Sequence, residues 1–129
     1  MRFPTVQDIL AIHDRVLDRT GGTTGLLTES AIGSAIERMI WGPFPYGPSL
    51  EARTAFLLRG IVQEHPFADG NKRTGFEAAR MFLEVNGRRL SCTSKEVVDF
   101  ALQVAQGLLP TLDVIRWLED HTKDNTEAD

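Results

Sequence analysis

The sequence predicts an all-α fold, a single-domain bundle of about six helices. Three observations carry that expectation. Apolar residues recur at spacings of three and four along nearly the whole chain. Cap-forming residues open these stretches, and glycines or prolines close them. No βαβ alternation, internal repeat or strong strand pattern interrupts them. With 129 residues, 42% of them hydrophobic, the chain is long enough to bury a core of its own and too short for a second domain of ordinary size.

Thr5 caps a first helix, with Asp8 three residues on as a short relative of the capping box. Val6, Ile9, Leu10, His13, Val16 and Leu17 form its stripe, and Gly21, Gly22 and Gly25 end it. Thr28 is the expected N-cap of a second helix bearing Ile32, Ala35, Ile36, Met39 and Ile40. The segment from Trp41 to Pro48 carries three prolines and two glycines, which forbid a helix. It is expected to be a short β-hairpin or an irregular flap near 41–48. Its aromatics Trp41, Phe44 and Tyr46 either pack back onto the domain or line a binding surface. Ser49 caps a third helix running to about Glu64, whose apolar residues cover more than one face, as in a central helix. A fourth helix is expected from about Asn71 to Asn86, stopped by Gly87. Thr93 with Glu96 forms a capping box for a fifth, and Pro110-Thr111 opens a sixth. The helical domain is assigned to residues 1–118, and 119–129 is expected to be an acidic, disordered tail.

Charge and composition exclude several classes. The net charge is −4, and residues 113–129 account for all of it, with six acids against Arg116 and Lys123. No basic block offers a surface for nucleic acid. No apolar run approaches the ~20 residues of a membrane span. No signal-peptide h-region is visible at the N-terminus. Cys92 is the single cysteine, which excludes an internal disulfide and a cysteine-rich zinc site. The cytoplasm is the expected compartment.

One stretch carries chemistry: His65-Pro66-Phe67-Ala68-Asp69-Gly70-Asn71-Lys72-Arg73-Thr74-Gly75. A structural loop rarely needs a histidine, a carboxylate, an amide, a lysine and an arginine together. Gly70, Asn71, Lys72 and Arg73 open a helix, where free backbone N–H groups and the dipole favour an anion. Two cations at that end make sense if they face phosphate. Asp69 would repel bare phosphate, but Mg²⁺, which binds one or two carboxylates plus phosphate oxygens, resolves the conflict. His65 can accept a proton at neutral pH and suits a general base. Taken singly, His65 with Asp69 also reads as a capping or ion-pair contact, and Lys72 and Arg73 as solvated charges.

This stretch resembles the signature of the Fic/Doc family, specifically its Doc (death-on-curing) toxin branch. The resemblance extends to Ile12-His13-Asp14, Gly21-Gly22, the segment from Gly25 to Ile32, and Phe82 to Gly87, covering roughly residues 5–118. It implies a toxin of a toxin–antitoxin pair that uses ATP and Mg²⁺ to phosphorylate a protein hydroxyl. The implied target is a translation factor, elongation factor Tu, and the implied restraint a Phd-like antitoxin. No part of the sequence reads as a built-in inhibitor, so restraint by a separate protein is expected. His65 would be the base, Asp69 the metal ligand, and Gly70, Asn71, Lys72 and Arg73 the nucleotide-binding set. The 41–48 loop would hold the target segment beside His65, and its aromatics are candidate antitoxin contacts. Adenylyltransferases of the family carry glycine where this chain has Lys72 and arginine where it has Phe76. That difference implies a reversed nucleotide presenting its γ-phosphate. Restoring both residues is expected to favour AMP transfer. Arg80 either substitutes for the missing arginine or pairs with Glu84 or Glu77. Two rival readings remain at this point, an AMP transferase with an altered motif and a catalytically idle binding module.

Overall fold

The computed structural model describes residues 1–126. Its elements run α1 (Val6–Thr20), α2 (Glu29–Trp41), α3 (Leu50–Glu64), α4 (Asn71–Val85), β1 (Arg88–Leu90), α5 (Ser94–Ala105), α6 (Thr111–Asp120) and β2 (Thr122–Asp124). The all-α expectation holds, with six helices and one small two-stranded sheet.

Helices α1, α3 and α5 start where a side chain satisfies free N–H groups of the first turn. Thr5 and Asp8 form a reciprocal capping box, with Thr5 N–H donating to Asp8 Oδ2 at 2.8 Å and Asp8 N–H to Thr5 Oγ1 at 3.2 Å. Ser49 Oγ accepts from Ala52 N–H, and Thr93 and Glu96 repeat the box on α5. Thr28 stands at the N-cap of α2, but its hydroxyl makes no capping bond.

Helix α3 is the central one. Ala52, Thr54, Ala55, Phe56, Leu57, Leu58, Ile61 and Val62 are all buried, so it is covered on several sides. It packs chiefly against α2 and α4. Two glycines let these helices approach closely. A Cβ on Gly60 would lie 2.5 Å from the Ala35 side chain, and one on Gly75 would lie 2.6 Å from that of Val62. One core cluster joins α1, α2, α3 and α4 around Ile9, Ile61, Phe67 and Phe82. The other joins α3 and α4 to α5 and α6 around Leu58, Phe76, Phe100 and Leu118. Among the described residues no helix is long and apolar enough to cross a membrane.

Of the two alternatives expected near 41–48, the irregular flap is the one formed: Trp41 closes α2, and 42–48 run as a loop with a turn at Pro45-Tyr46 and no strand. Pro43, Pro45 and Pro48 remove the donors a hairpin ladder would use. The strands lie elsewhere: β1 and β2 pair antiparallel, Arg88 opposite Asp124 and Leu90 opposite Thr122. Arg88 ties the pair down through Asp124 at 2.7 Å and Glu51 at 3.5 Å. The segment expected as a disordered tail from 119 onward therefore finishes α6 and forms β2, and Asn125 N–H still donates to Gly87 O. Backbone pairing holds it despite its polar composition. The last part of that expected tail, 127–129, lies outside the described residues. Finally, the 41–48 loop precedes α3 whereas His65 follows it. Fifteen helical residues separate them by ~22 Å, so the loop does not stand beside His65. Phe44 folds back onto Phe56 and beneath the Arg53 guanidinium. Trp41 and Tyr46 are exposed.

Candidate active site

The loop between α3 and α4 is bent at both ends by left-handed residues. Gly70, the N-cap of α4, has φ 77° and ψ 17°, a conformation that glycine adopts without a steric penalty. His65, the C-cap of α3, has φ 49° and ψ 60°. For a residue with a Cβ this conformation costs ~1–2 kcal/mol. It stops α3 and turns the imidazole out: His65 is exposed, and its ring makes no hydrogen bond among the described residues.

Between these bends the loop is fastened from both sides. Phe67 is buried, 2% exposed, and its ring stacks on that of His13 with centroids 3.7 Å apart. His13 Nε2–H donates to Asp69 O at 2.9 Å. The Asn71 side chain closes on the Phe67 backbone, Oδ1 accepting from its N–H at 3.0 Å and Nδ2 donating to its carbonyl at 2.9 Å. Residues 21–28 run along the other edge. Leu26 and Phe67 form an antiparallel bridge, and Leu27, Thr28 and Ala68 N–H groups bond Pro66 O and Gly25 O. Gly22 (φ 127°) passes so close that a Cβ there would lie 2.6 Å from Asp69 Oδ2.

The expected site residues fall into two sets. Asp69, Gly70, Asn71, Lys72 and Arg73 line one cavity of about 890 Å³, which runs along α4 past Phe76 to β1 and the Val97, Val98 and Leu102 face of α5. His65 is not in its wall; it stands at the end of α3, four residues before Asp69. No side chain caps α4, so its first-turn N–H groups are left for a ligand or water. Lys72 and Arg73 are exposed and have no carboxylate partner among the described residues. Asn71 spends both polar atoms of its side chain on the loop, so only its backbone N–H is left for an anion. The Asp69 carboxylate accepts Thr23 N–H at 3.1 Å on Oδ2 and Gly70 N–H at 2.9 Å on Oδ1. Each oxygen keeps a lone pair.

Two neighbours resolve open questions. Arg80 donates to both Glu77 carboxylate oxygens at 3.1 Å, so it is an ion-pair residue. Phe76 is 7% exposed and meets Phe100 and Trp117 edge-on, so it belongs to the core as well as to the cavity wall. Sequence reasoning missed the support given by His13 and by residues 21–28. His13 sits on the apolar stripe of α1, where a histidine spacing carries no sign of the backbone carbonyl it holds.

Farther along the cavity, burial raises the Cys92 thiol pKa, and the nearby Glu96 carboxylate adds to the shift. Glu96 itself is held below the ordinary carboxylate value, first by the Thr93 backbone N–H and hydroxyl, then by His121. A carboxylate with a lowered folded-state pKa contributes stability above its unfolded pKa, and that stability is lost as pH falls through the folded value. Glu96→Gln should therefore lower Tm at neutral pH, with the difference from wild type shrinking on acidification below about pH 4. Thermal melts from pH 7 to pH 3 check this; a difference constant across that range would contradict it.

Comparison with known families matches residues 3–83 to the Fic/DOC family. The protein named "Protein kinase doc" from Escherichia phage P1 is 30% identical over 111 residues, covering 83% of this chain and 85% of the phage protein. "Toxin Doc" of Mycolicibacterium smegmatis is 32% identical over 92 residues, covering 69% of this chain and 65% of that protein. The family match spans the His13 support, the 21–28 edge and the whole loop from His65 to Gly75, so the chain belongs to the Fic/Doc family.

Proposed function

We propose that the protein is a Doc-like toxin that transfers the γ-phosphate of ATP to a hydroxyl of a protein substrate. The observation that carries this reading is the pair Lys72 and Arg73, exposed and free of carboxylates at the uncapped start of α4, opening onto a cavity of nucleotide size. By the family resemblance, a bulky lysine at the position where the family's AMP transferases carry glycine favours a nucleotide that presents its terminal phosphate. The relatives named for a kinase and for a toxin point the same way.

In this reading the substrate hydroxyl gives its proton to a His65 ring nitrogen as its oxygen attacks the γ-phosphorus. The bond from that phosphorus to the β–γ bridging oxygen breaks, and ADP leaves. Lys72, Arg73 and the α4 N–H groups take up the negative charge spread over the phosphate oxygens. Asp69 fits a Mg²⁺ ion held jointly with phosphate. It is exposed with lone pairs to spare, and the described residues contain no cluster of three or more ligating side chains that would bind a metal alone. Bound there, the ion would screen the phosphate charges from Asp69. His13, Asn71 and Gly22 act as positioning residues, fixing the loop that carries Asp69.

The target follows the family resemblance, a translation factor such as elongation factor Tu, and restraint falls to a Phd-like antitoxin. The deciding experiment offers labelled ATP to the protein in cell extract. Label from the γ position appearing in protein is the expected result. Label from the α position would replace this reading with AMP transfer, and no label with either would leave a binding module. Expression of the protein alone should slow bacterial growth, and co-expression of its antitoxin should restore it.

Asp69→Asn tests the metal. Asparagine keeps an oxygen for the Thr23 N–H and loses the charge. Loss of a direct ligand costs no less than an outer-shell change, so transfer should fall at least ~10–100-fold, with partial rescue by added Mg²⁺. Undiminished transfer by the wild type in excess EDTA would overturn the metal's role.

A further inference from the structure

A second groove, separate from the cavity of α4 and α5, lies along the seam between α2 and α3. Its volume is about 490 Å³. Gly60 brings the two helices together at Ala35, which makes the seam shallow and leaves the side chains above it to set its chemistry. Those side chains are mostly cationic and polar. Arg38 lies over the Phe56 ring at 4.3 Å, and Arg59 donates from Nη1 to the Thr111 hydroxyl. Ser30 and Ser34 supply hydroxyls from α2. Among the described residues neither arginine has a carboxylate partner. The Arg59 Nε is buried with no acceptor at all. An arginine with a buried, unpartnered nitrogen and no counter-ion is costly, in a chain whose net charge is −4, unless an anion completes it. The N-termini of α2 and α6, both without a side-chain cap, reach the same groove at Thr28 and Thr111 and add to the positive potential. Glu64 is the one carboxylate in the lining, at the end nearest His65.

The direction of the groove indicates its occupant. It starts at Arg38 and Phe56 and ends at Thr28 and Glu64, directly beside His65. Thr28 N–H is bonded to Pro66 O, so that end is continuous with the candidate active-site loop. Arg59 is six residues before His65 and Phe56 nine, or ~9 and ~14 Å along the helix axis. An extended peptide rises ~3.3 Å per residue. We propose that this groove docks an acidic stretch of the protein substrate, placing carboxylates about three to four residues from the hydroxyl that reaches His65. Carboxylates bind Arg38 and Arg59 by charge-assisted hydrogen bonds, and the spacing makes the pair a specificity determinant. The proposal rests on the phosphotransfer reading only for what happens at His65, not for the binding.

The test separates the two. Two fluorescent peptides share a central serine; one carries a pair of glutamates three and four residues away, the other glutamines. Their binding to the His65→Ala protein is followed by anisotropy without ATP. The glutamate peptide should bind about tenfold tighter, which corresponds to ~1.4 kcal/mol, and Arg38→Glu should abolish the preference. Arg59→Gln should weaken it as well, but it also removes the Thr111 contact; exposed Arg38 keeps the proposal testable if that variant unfolds. In transfer assays with the wild-type His65, Arg38→Glu should raise KM for the glutamate peptide and leave kcat unchanged. Equal binding of the two peptides, or a preference that survives Arg38→Glu, would overturn the proposal. Tighter capture of a single-stranded oligonucleotide of matching charge would overturn its choice of partner. Acid-dependent binding without γ-phosphate transfer by the wild type would sink the phosphotransfer reading and leave the docking groove standing.

Discussion

Replacing His65 with alanine should lower phosphotransfer by ~10²–10⁴-fold, the usual contribution of a positioned general base. Stability should barely change, because the imidazole is exposed and makes no hydrogen bond among the described residues. The left-handed backbone adds a second variant that separates chemistry from conformation. His65→Gly removes the same base but also relieves the strain at φ 49°. It should gain ~1 kcal/mol of stability relative to His65→Ala, while its transfer rate is as low. Turnover and thermal unfolding of both variants, measured together, check this. Full transfer by either would remove His65 from the mechanism. A glycine variant no more stable than the alanine variant would mean that the turn is not strained.

That strain also marks the limit of what the sequence reveals. The caps at Thr5, Ser49 and Thr93 were legible because the chemistry that satisfies a helix start lies within three residues of it. The candidate site was legible for a similar reason. Nine consecutive positions, from His65 to Arg73, hold the proposed base, carboxylate and cations, so the chain itself keeps them on one loop, although His65 lies outside the wall of the cavity that the others line. What holds that loop was not legible. His13 reaches Asp69 O from 56 residues away, and Thr23 N–H reaches the Asp69 carboxylate from 46. Neither partnership leaves a periodic trace. The 41–48 loop shows a different failure. Its aromatics left packing and binding as alternatives and gave no position: Phe44 packs back onto Phe56 while Trp41 and Tyr46 are exposed, and the length of α3 places the loop at the far end of that helix from His65. The strands β1 and β2 are three residues each, too short for alternation to declare them.

The second large effect concerns Lys72 and its neighbour Phe76. Removal of one preorganised donor to a transferring group costs ~10²–10³ in rate. Lys72→Gly should therefore lose most γ-phosphate transfer, and a glycine so near the start of α4 should cost at most ~1 kcal/mol in stability. If the variant keeps wild-type phosphorylation, the lysine does not select the nucleotide's orientation. Sequence alone suggests that adding Phe76→Arg would then complete the machinery for AMP transfer. The packing argues otherwise. Phe76 packs edge-on against the stacked Phe100 and Trp117 rings, and deleting a buried phenylalanine costs ~3–5 kcal/mol before any charge is placed among the aromatics. In a domain of this size that loss lowers Tm by on the order of 10 °C. The double variant should thus unfold early and show no gain in α-label transfer over Lys72→Gly at a temperature where Lys72→Gly is folded. Changing the reaction would need the Phe76–Phe100–Trp117 contact rebuilt with smaller partners. A double variant that melts with the wild type and transfers AMP efficiently would show that the aromatic cluster is no barrier and that residues 72 and 76 alone separate the two chemistries.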